Sequence, residues 1–434
     1  MGSDGFAVRN PDGTLDLNLH PGQWKAWNSR ARFVVVLAGT QGGKTSFGPF
    51  WMQREMQCCG PGDYLVVTPT YPLLNLKALP EFQRLFEDWL DLGTYKTSDR
   101  VFQVSAKGER KLFGYEPAGT PTTRVIFGYA AEPESLESAT ARAAWLDEAG
   151  QKRFKLGSWE AVRRRLSLHR GRALITTTPY GLGWLKQQLW DRWQAGDRTI
   201  DVIRFESTMN PAFPLDEFEL ARATLPRWKF DLFYRAIFTR PAGLIYDNFD
   251  DAAQKVPRFA IPDYWPRYLG LDFGGVNTAG LFYAQEPETN HLYLYRAYKA
   301  GGRTAAGHAV ALLHGERGVP TCVGGSKSEG QWRDEFRAAG LPVREPDISD
   351  VEVGIDRVYG AHAEGQIFVF EDLAEYLDEK LSYSREVDDA GNVMDTIEDK
   401  SSYHFMDAER YIVGWLRGSS TKPPARRAKV KGRE

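Results

Sequence analysis

The chain has 434 residues, too many for one ordinary core, so two or three domains are expected. Hydrophobic residues make up 42% and charged residues 26%, with 13 Trp, 19 Tyr and 24 Phe, which fits a soluble globular protein able to bury large cores. The formal net charge of −2 gives no global signature of a nucleic-acid partner. No long apolar run of membrane-spanning length occurs, so no membrane association is expected. The polar, Gly-rich start from Met1 to Pro11 does not read as a signal peptide. The three cysteines, Cys58, Cys59 and Cys322, show no zinc spacing, and adjacent cysteines rarely pair, so a reducing compartment is expected.

In chain order, residues 33–37 form an apolar run that ends in a Gly-rich turn, and a helix is expected over 44–57. Residues 63–68 read as a second buried strand and 79–92 as a helix. Further short apolar runs at 124–128, 143–146 and 172–176 are each followed by polar or turn residues. Strands alternating with helices predict an α/β domain over 1–240 with a mainly parallel sheet covered on both faces. Pro241, Gly243, Pro257, Pro262 and Pro266 then punctuate an expected linker over 241–262. A second domain is expected over 263–418, with strands at 268–272, 280–283 and 291–295. After these come a helix (305–317), a strand (321–323), a helix (331–339), a strand (366–370), a helix (373–381), a hairpin turning at 389–392 and a last helix (403–416). Three strands followed by alternating helices and strands suit an RNase H-like domain. The tail over 419–434 carries Lys422, Arg426, Arg427, Lys429, Lys431 and Arg433. It reads either as a disordered solubilising tail or as a contact to DNA or a partner.

Gly39-Thr40-Gln41-Gly42-Gly43-Lys44-Thr45 is the strongest motif. Glycines let backbone N–H groups cradle phosphates, Lys44 supplies charge for the β/γ-phosphates, and Thr45 supplies a hydroxyl for Mg²⁺. The strict spacing would place the first Gly at 38, where this chain has Ala38. Asp147 and Glu148 end a short apolar run. At the C-terminal end of a parallel strand they would face the loop mouth, Asp147 holding Mg²⁺ through water and Glu148 deprotonating the attacking water. Upstream, Gln23 is a candidate to pair with an adenine edge, with Trp24 or Trp27 stacking on the base. The other reading of that segment is an amphipathic helix with core Trp. Downstream, the hydroxyls of Thr176, Thr177 and Thr178 either sense the γ-phosphate, with Thr177 as the ATP-binding member, or cap the following turn.

The order of Gln23, the loop 39–45, Asp147-Glu148 and Thr176-Thr177-Thr178 resembles the ATPase of large terminase subunits of tailed double-stranded DNA phages. The C-terminal half extends the resemblance over 15–418. Gly270-Leu271-Asp272-Phe273-Gly274 puts Asp272 on the first strand of the second domain. The segment His404-Phe405-Met406-Asp407-Ala408-Glu409-Arg410-Tyr411 resembles the last helix of terminase nucleases, with Asp407 as its acid. The resemblance implies a packaging motor that hydrolyses ATP with Mg²⁺ and moves double-stranded DNA into a procapsid. It also implies a nuclease that cuts concatemeric DNA with two divalent ions, Mg²⁺ or Mn²⁺. The implied partners are the phage portal protein, on which the subunits form a homo-oligomeric ring, and a small terminase subunit. The implied setting is the host cell cytoplasm. In such rings an Arg from a neighbour completes each ATP site. Arg142 is the candidate here, with Arg124 and Arg163, Arg164 and Arg165 as rivals. Many relatives carry Arg early in the loop, where this chain has Thr40 and Gln41. Many also carry a third nuclease Asp after the strand 321–323. This chain has Gly324-Gly325-Ser326-Lys327-Ser328-Glu329, so Glu329 is the expected metal ligand, with Asp334, Glu335, Asp395 and Asp399 as alternatives. His404, one helical turn from Asp407, either touches the site or is a buried structural residue. The alternative function is a DNA helicase or remodelling ATPase whose second domain only binds nucleic acid. The intact set Lys44, Thr45, Asp147 and Glu148 argues against a non-enzymatic adaptor.

Overall fold

The computed structural model describes residues 6–419, apart from 13, 116–118, 132–139, 226, 240–242, 275–276, 349 and 389–391. The chain divides into two compact units, Met1–Ala242 and Gly243–Glu434.

The first unit opens with a short antiparallel ribbon, β1 (Ala7–Arg9) and β2 (Leu15–Leu17). Its main sheet contains β3 (Phe33–Ala38), β4 (Asp63–Thr68), β5 (Gly93–Lys96), β6 (Val101–Val104), β7 (Arg124–Tyr129), β8 (Ala143–Asp147), β9 (Arg172–Thr177) and β10 (Ile200–Phe205). The spatial order is β10-β3-β9-β8-β4-β7-β6-β5. From β10 to β7 every pairing is parallel, and only β6 and β5 run antiparallel at one edge. Every residue of β3 and β8 is buried, which is why these strands read as unbroken apolar runs. The helix Lys44–Cys59 lies close over β8 because residue 48 is Gly: a Cβ there would come within 2.0 Å of the Trp145 ring. Because β3, β8 and β9 are parallel neighbours, the turns after Ala38, Asp147 and Thr177 emerge at the same sheet edge, where ligands bind in open α/β sheets. The helix expected over 79–92 starts earlier, at Tyr71, and ends at Trp89, with wide i→i+5 turns at Leu74–Ala78 and Arg84–Trp89.

The second unit holds β11 (Lys255–Val256), β12 (Arg267–Asp272), β13 (Asn277–Gln285), β14 (Leu292–Gly301), β15 (Thr321–Gly324), β16 (Val343–Arg344) and β17 (Ile367–Phe370) in the order β11-β17-β14-β13-β12-β15-β16. β12, β13 and β14 form an antiparallel meander, and the pairings outside it are parallel. This is the expected meander followed by alternating helices and strands. The last helix, His404–Ser419, packs on β12 at a point where Gly270 has no side chain. A Cβ at Gly270 would sit 2.4 Å from the Ala408 carbonyl, so glycine is what lets helix and strand approach. β18 (Arg385–Val387) and β19 (Val393–Ile397) form the expected hairpin, although most of its turn lies outside the described residues. So do the basic residues of the tail.

The expected linker over 241–262 is corrected. From Gly243 onward the chain is part of the second unit: Leu244 bridges to Ser384, Ile245 N–H donates to Tyr383 O, and β11 adds to the sheet edge beside β17. Tyr246 and Phe249 are buried there. The prolines mark irregular backbone, but the aromatic side chains between them bury apolar area that a free linker would leave in water.

Candidate active sites

The turn after β3 carries the phosphate-loop chemistry. Gly43 adopts φ +78 and caps the helix Lys44–Cys59 without a side-chain hydrogen bond, leaving the first-turn N–H groups free to meet an anion. Gly39 is sterically required: a Cβ would lie 2.3 Å from the Tyr234 carbonyl. The turn is clamped from the segment after β10, where Ser207 Oγ donates to Thr40 O at 2.7 Å and Asn210 Nδ2 donates to Gln41 O at 2.7 Å. Ala38 stands where strict spacing asks for Gly, and the structure explains the tolerance, since residue 38 is still in the strand and needs no left-handed backbone.

Lys44 Nζ donates to Ala38 O (3.1 Å), Gly39 O (2.9 Å) and Thr178 Oγ1 (2.9 Å). Burial pushes its pKa down, while the carboxylates of Glu148 and Asp147 favour its charge. Asp147 accepts from Thr45 Oγ1 (3.0 Å) and from Thr176 Oγ1 (2.7 Å). Burial, reinforced by the Glu148 carboxylate, pushes Asp147 up to about 7. A cation would relieve a buried carboxylate of this kind, and Thr45 and Asp147 are the pair that would hold Mg²⁺. Glu148 sits at φ +54, a strained conformation for a residue with a side chain. Its N–H donates to Thr176 O at 2.7 Å, and its Oε2 accepts from Tyr180 OH at 3.0 Å. The strained turn is held from β9 and the segment after it, by Thr176 O and the Tyr180 hydroxyl, and the Glu148 carboxylate acts electrostatically on Lys44.

The other expected residues of this unit are placed as follows. Gln23 is 2% exposed and both ends of its amide are engaged: Nε2 donates to Gly43 O at 3.0 Å and Oε1 accepts from His20 N–H at 3.2 Å. Its amide thus bridges His20 and the phosphate loop. Trp27 packs edge-on to Phe47 beneath the Arg54 guanidinium, while Trp24 is exposed. Thr177 accepts the Gly150 N–H (2.9 Å) and donates to Thr178 O (2.8 Å), so it ties β9 to the turn after β8. The hydroxyl that touches Lys44 is Thr178. Arg142 precedes β8 at the strand end opposite Asp147, half-buried, with NH1 on Cys59 O at 3.0 Å. Of its rivals, Arg124 pairs with Asp63 at 2.7 Å, and Arg163 lies over the Trp159 ring.

In the second unit, Asp272 ends β12 and Asp407 lies in the first turn of the last helix. Asp272 Oδ2 is 2.9 Å from His404 Nδ1. Burial pushes Asp272 up to about 6, the carboxylates of Asp407 and Glu329 push the same way, and the hydrogen bond to His404 opposes them. That bond in turn raises His404. Asp407 pairs with Arg410 one turn on. The third expected acid behaves differently. Glu329 Oε2 accepts the Ser326 N–H at 2.5 Å, closing a capping box at the start of its helix. Asp334 pairs with Arg337 and Asp399 accepts from Ser402, while Asp395 is exposed on β19. Asp272 and Asp407 offer the hard oxygen donors that Mg²⁺ or Mn²⁺ prefers. Among the described residues, however, no group of three His, Cys, Asp or Glu stands close enough to hold a metal ion, so the three-acid set is not assembled.

Behind Asp407 lies a polar network that its sequence neighbours do not reveal. Glu409 accepts from Lys380 Nζ (2.8 Å), Tyr376 OH (2.6 Å) and Tyr283 OH (3.2 Å), and both Glu409 and Lys380 are fully buried. Burial pushes Lys380 down to about 8 against the pull of Glu409. Glu379 accepts the Phe405 N–H at 2.8 Å and so caps the helix that carries His404 and Asp407.

No family model matches the chain. The terminase large subunit of Thermus phage G20c is 23% identical over 293 residues, covering 59% of this chain and 57% of that protein. The terminase large subunit of Thermus virus P23-45 is 23% identical over 287 residues with the same shares. The chain is similar to terminase large subunits. It spans 57% of the length of these relatives. Among solved structures, the large terminase of a thermophilic bacteriophage aligns at TM-score 0.44 and 15% identity, over 92% of this chain and 99% of that one. The HK97 bacteriophage large terminase aligns at TM-score 0.47 and 14% identity, over 94% and 97%.

Proposed function

We propose that this chain is a phage DNA-packaging subunit whose first unit hydrolyses ATP and whose second unit cuts DNA. The observation that carries the reading is the web at one sheet edge: Lys44 bonded to Thr178, and Thr45 and Thr176 both bonded to Asp147, with Glu148 alongside. In it, the free N–H groups of the loop and Lys44 receive the phosphates, Thr45 and Asp147 hold Mg²⁺, and Glu148 takes the proton of the attacking water. When bound, divalent ions supply charge neutralisation at the phosphates in both units. In the second unit Asp272 and Asp407 are the proposed ion-holding carboxylates, with Glu329 as the proposed third. The similarity to terminase large subunits supports double-stranded DNA as the substrate, a portal protein and a small terminase subunit as partners, and action as a ring in the host cell cytoplasm. No helix among the described residues is long and apolar enough to cross a membrane.

A second reading keeps the ATPase but makes the second unit a nucleic-acid binder. It draws on the lack of a three-acid cluster among the described residues. One experiment separates the two: supercoiled plasmid is incubated with the full chain and Mn²⁺, beside Asp272→Asn and Asp407→Asn. Cleavage by the wild type that both variants lose, with ATPase intact, is expected. DNA binding without cleavage would favour the second reading, and no ATP turnover that Lys44→Ala abolishes would remove the first.

A further inference from the structure

Just upstream of the phosphate loop, the helix Pro21–Asn28 begins with a capping box. His20 Nδ1 accepts the N–H groups of Gly22 (3.1 Å) and Gln23 (3.4 Å). Because Nδ1 is an acceptor, the ring proton sits on Nε2, and Nε2–H donates to Gly42 O at 3.2 Å. Gln23 Nε2 donates to the next carbonyl, Gly43 O, at 3.0 Å. The His20 ring lies edge-on to Phe205 at 4.8 Å, and the same Phe205 ring excludes any side chain at Gly22. A Cβ at Gly43 would come within 2.8 Å of Gln23 Nε2, so the helix start and the loop are in direct packing contact. Both side chains are buried, His20 at 7% and Gln23 at 2% exposure.

Two successive loop carbonyls are thus held from the same side by two side chains of one capped turn. A peptide plane is rigid, so fixing the C=O of Gly42 and of Gly43 fixes the direction of the following N–H groups, those of Gly43 and Lys44. Those are groups a phosphate would meet. We infer that His20 and Gln23 are positioning residues that set the aim of the phosphate-binding amides, and that Gln23 does not select the nucleotide base. The inference rests on the ATPase reading of this loop.

The test compares ATP with GTP, for turnover and for equilibrium binding of each nucleotide with Mg²⁺, in the full chain. Gln23→Glu preserves the acceptor for the His20 N–H but cannot donate to Gly43 O. His20→Asn preserves an N-cap acceptor but cannot reach Gly42 O, so the helix start survives in both. Each variant is expected to weaken ATP and GTP alike, by about ten-fold in kcat/KM, which corresponds to ~1.4 kcal/mol. The ratio between the two nucleotides should stay at the wild-type value. A ratio that moves ten-fold in Gln23→Glu means that Gln23 reads the base and overturns the inference. So do variants with wild-type constants for both nucleotides. A wild type without turnover would overturn the ATPase reading alone, since the binding ratio would still decide the role of Gln23.

Discussion

Removing the charge of Asp272 should stabilise the second unit while disabling its site. Asp272 is 8% exposed, and burial raises its pKa from the ordinary 3.8 to about 6. A carboxyl whose folded pKa is raised favours the folded state fully below 3.8 and loses that advantage as pH rises through 6. The interval corresponds to about 3 kcal/mol at most, and roughly half of it develops between pH 5 and pH 8. Asp272→Asn keeps the shape and a hydrogen-bonding atom for His404 but carries no charge at any pH. Its stability relative to wild type should therefore climb by about 1–2 kcal/mol from pH 5 to pH 8 in urea titrations without divalent ions. Unfolding is best followed by hydrogen exchange of the helix His404–Ser419, at matched exchange times. Mn²⁺ should then stabilise the wild type and leave Asp272→Asn unmoved, because the cation relieves the same buried charge. An Asn variant whose relative stability is flat across this range, or falls with pH, would refute the argument that Asp272 is held as a destabilised anion.

Three further outcomes follow from the geometry. Glu148→Gln should bind ATP yet turn over at least a hundred-fold more slowly, since an amide cannot take a proton, and wild-type turnover would remove Glu148 from the chemistry. Lys380→Met should destabilise the second unit by about 3–5 kcal/mol by leaving Glu409 buried without its cation. The double variant Lys380→Met/Glu409→Leu should recover much of that loss, and equal losses in single and double variants would deny the pairing. Burial lowers the pKa of His20 below its ordinary 6.5, so its neutral form favours folding above pH 6.5 and that contribution is lost as pH falls through the folded value. Melting of wild type should accordingly drop more steeply than that of His20→Asn between pH 7.5 and pH 5, and parallel curves would count against the neutral, loop-bound ring.

Much of the sheet in the first unit was legible because β3, β4, β7, β8 and β9 are largely buried and therefore largely apolar. Other strands interrupt the apolar run with charged or polar residues. β10 is an edge strand with a half-buried Asp201 and an exposed Arg204, and β5 alternates exposed and half-buried residues. The helix Val351–Ala363 was hidden by Gly354 and Gly360, which lower helix propensity; Gly354 faces the Arg410 side chain, where a Cβ would crowd. Local motifs gave Lys44, Thr45, Asp147 and Glu148, since a phosphate loop is contiguous and its acids end a strand. They suggested a base-facing Gln23, whose amide is bonded to Gly43 O and to the His20 N–H as part of a capping box. They missed Thr178 as the contact of Lys44, since only the β3–β9 pairing decides which of three threonines faces the loop. Lys380 and Glu409 resemble surface residues until the helix His404–Ser419 turns Glu409 into the core with Phe405, Ile412 and Val413.

In the proposed nuclease site, the lack of an acid directly after β15 has a steric cause. β15 runs so close to β12 that a Cβ at Gly324 would stand 2.2 Å from Leu271 O. At Gly325 the backbone takes φ +71, and a Cβ would lie 2.4 Å from the Phe273 ring. Neither position tolerates an Asp without moving the strand that carries Asp272. The buried Arg333 guanidinium then wraps the following loop, donating to Ser326 O at 2.7 Å, so the backbone there is fixed rather than open to substitution. Glu329 is the first acid beyond this constriction, and its carboxylate is spent on the Ser326 N–H. Reaching an ion would require giving up the Ser326 N–H bond. In the proposed site Asp272 and Asp407 are the fixed members, one on a strand end and one on a capped helix, and Glu329 would join only by exchanging a helix cap for a ligand.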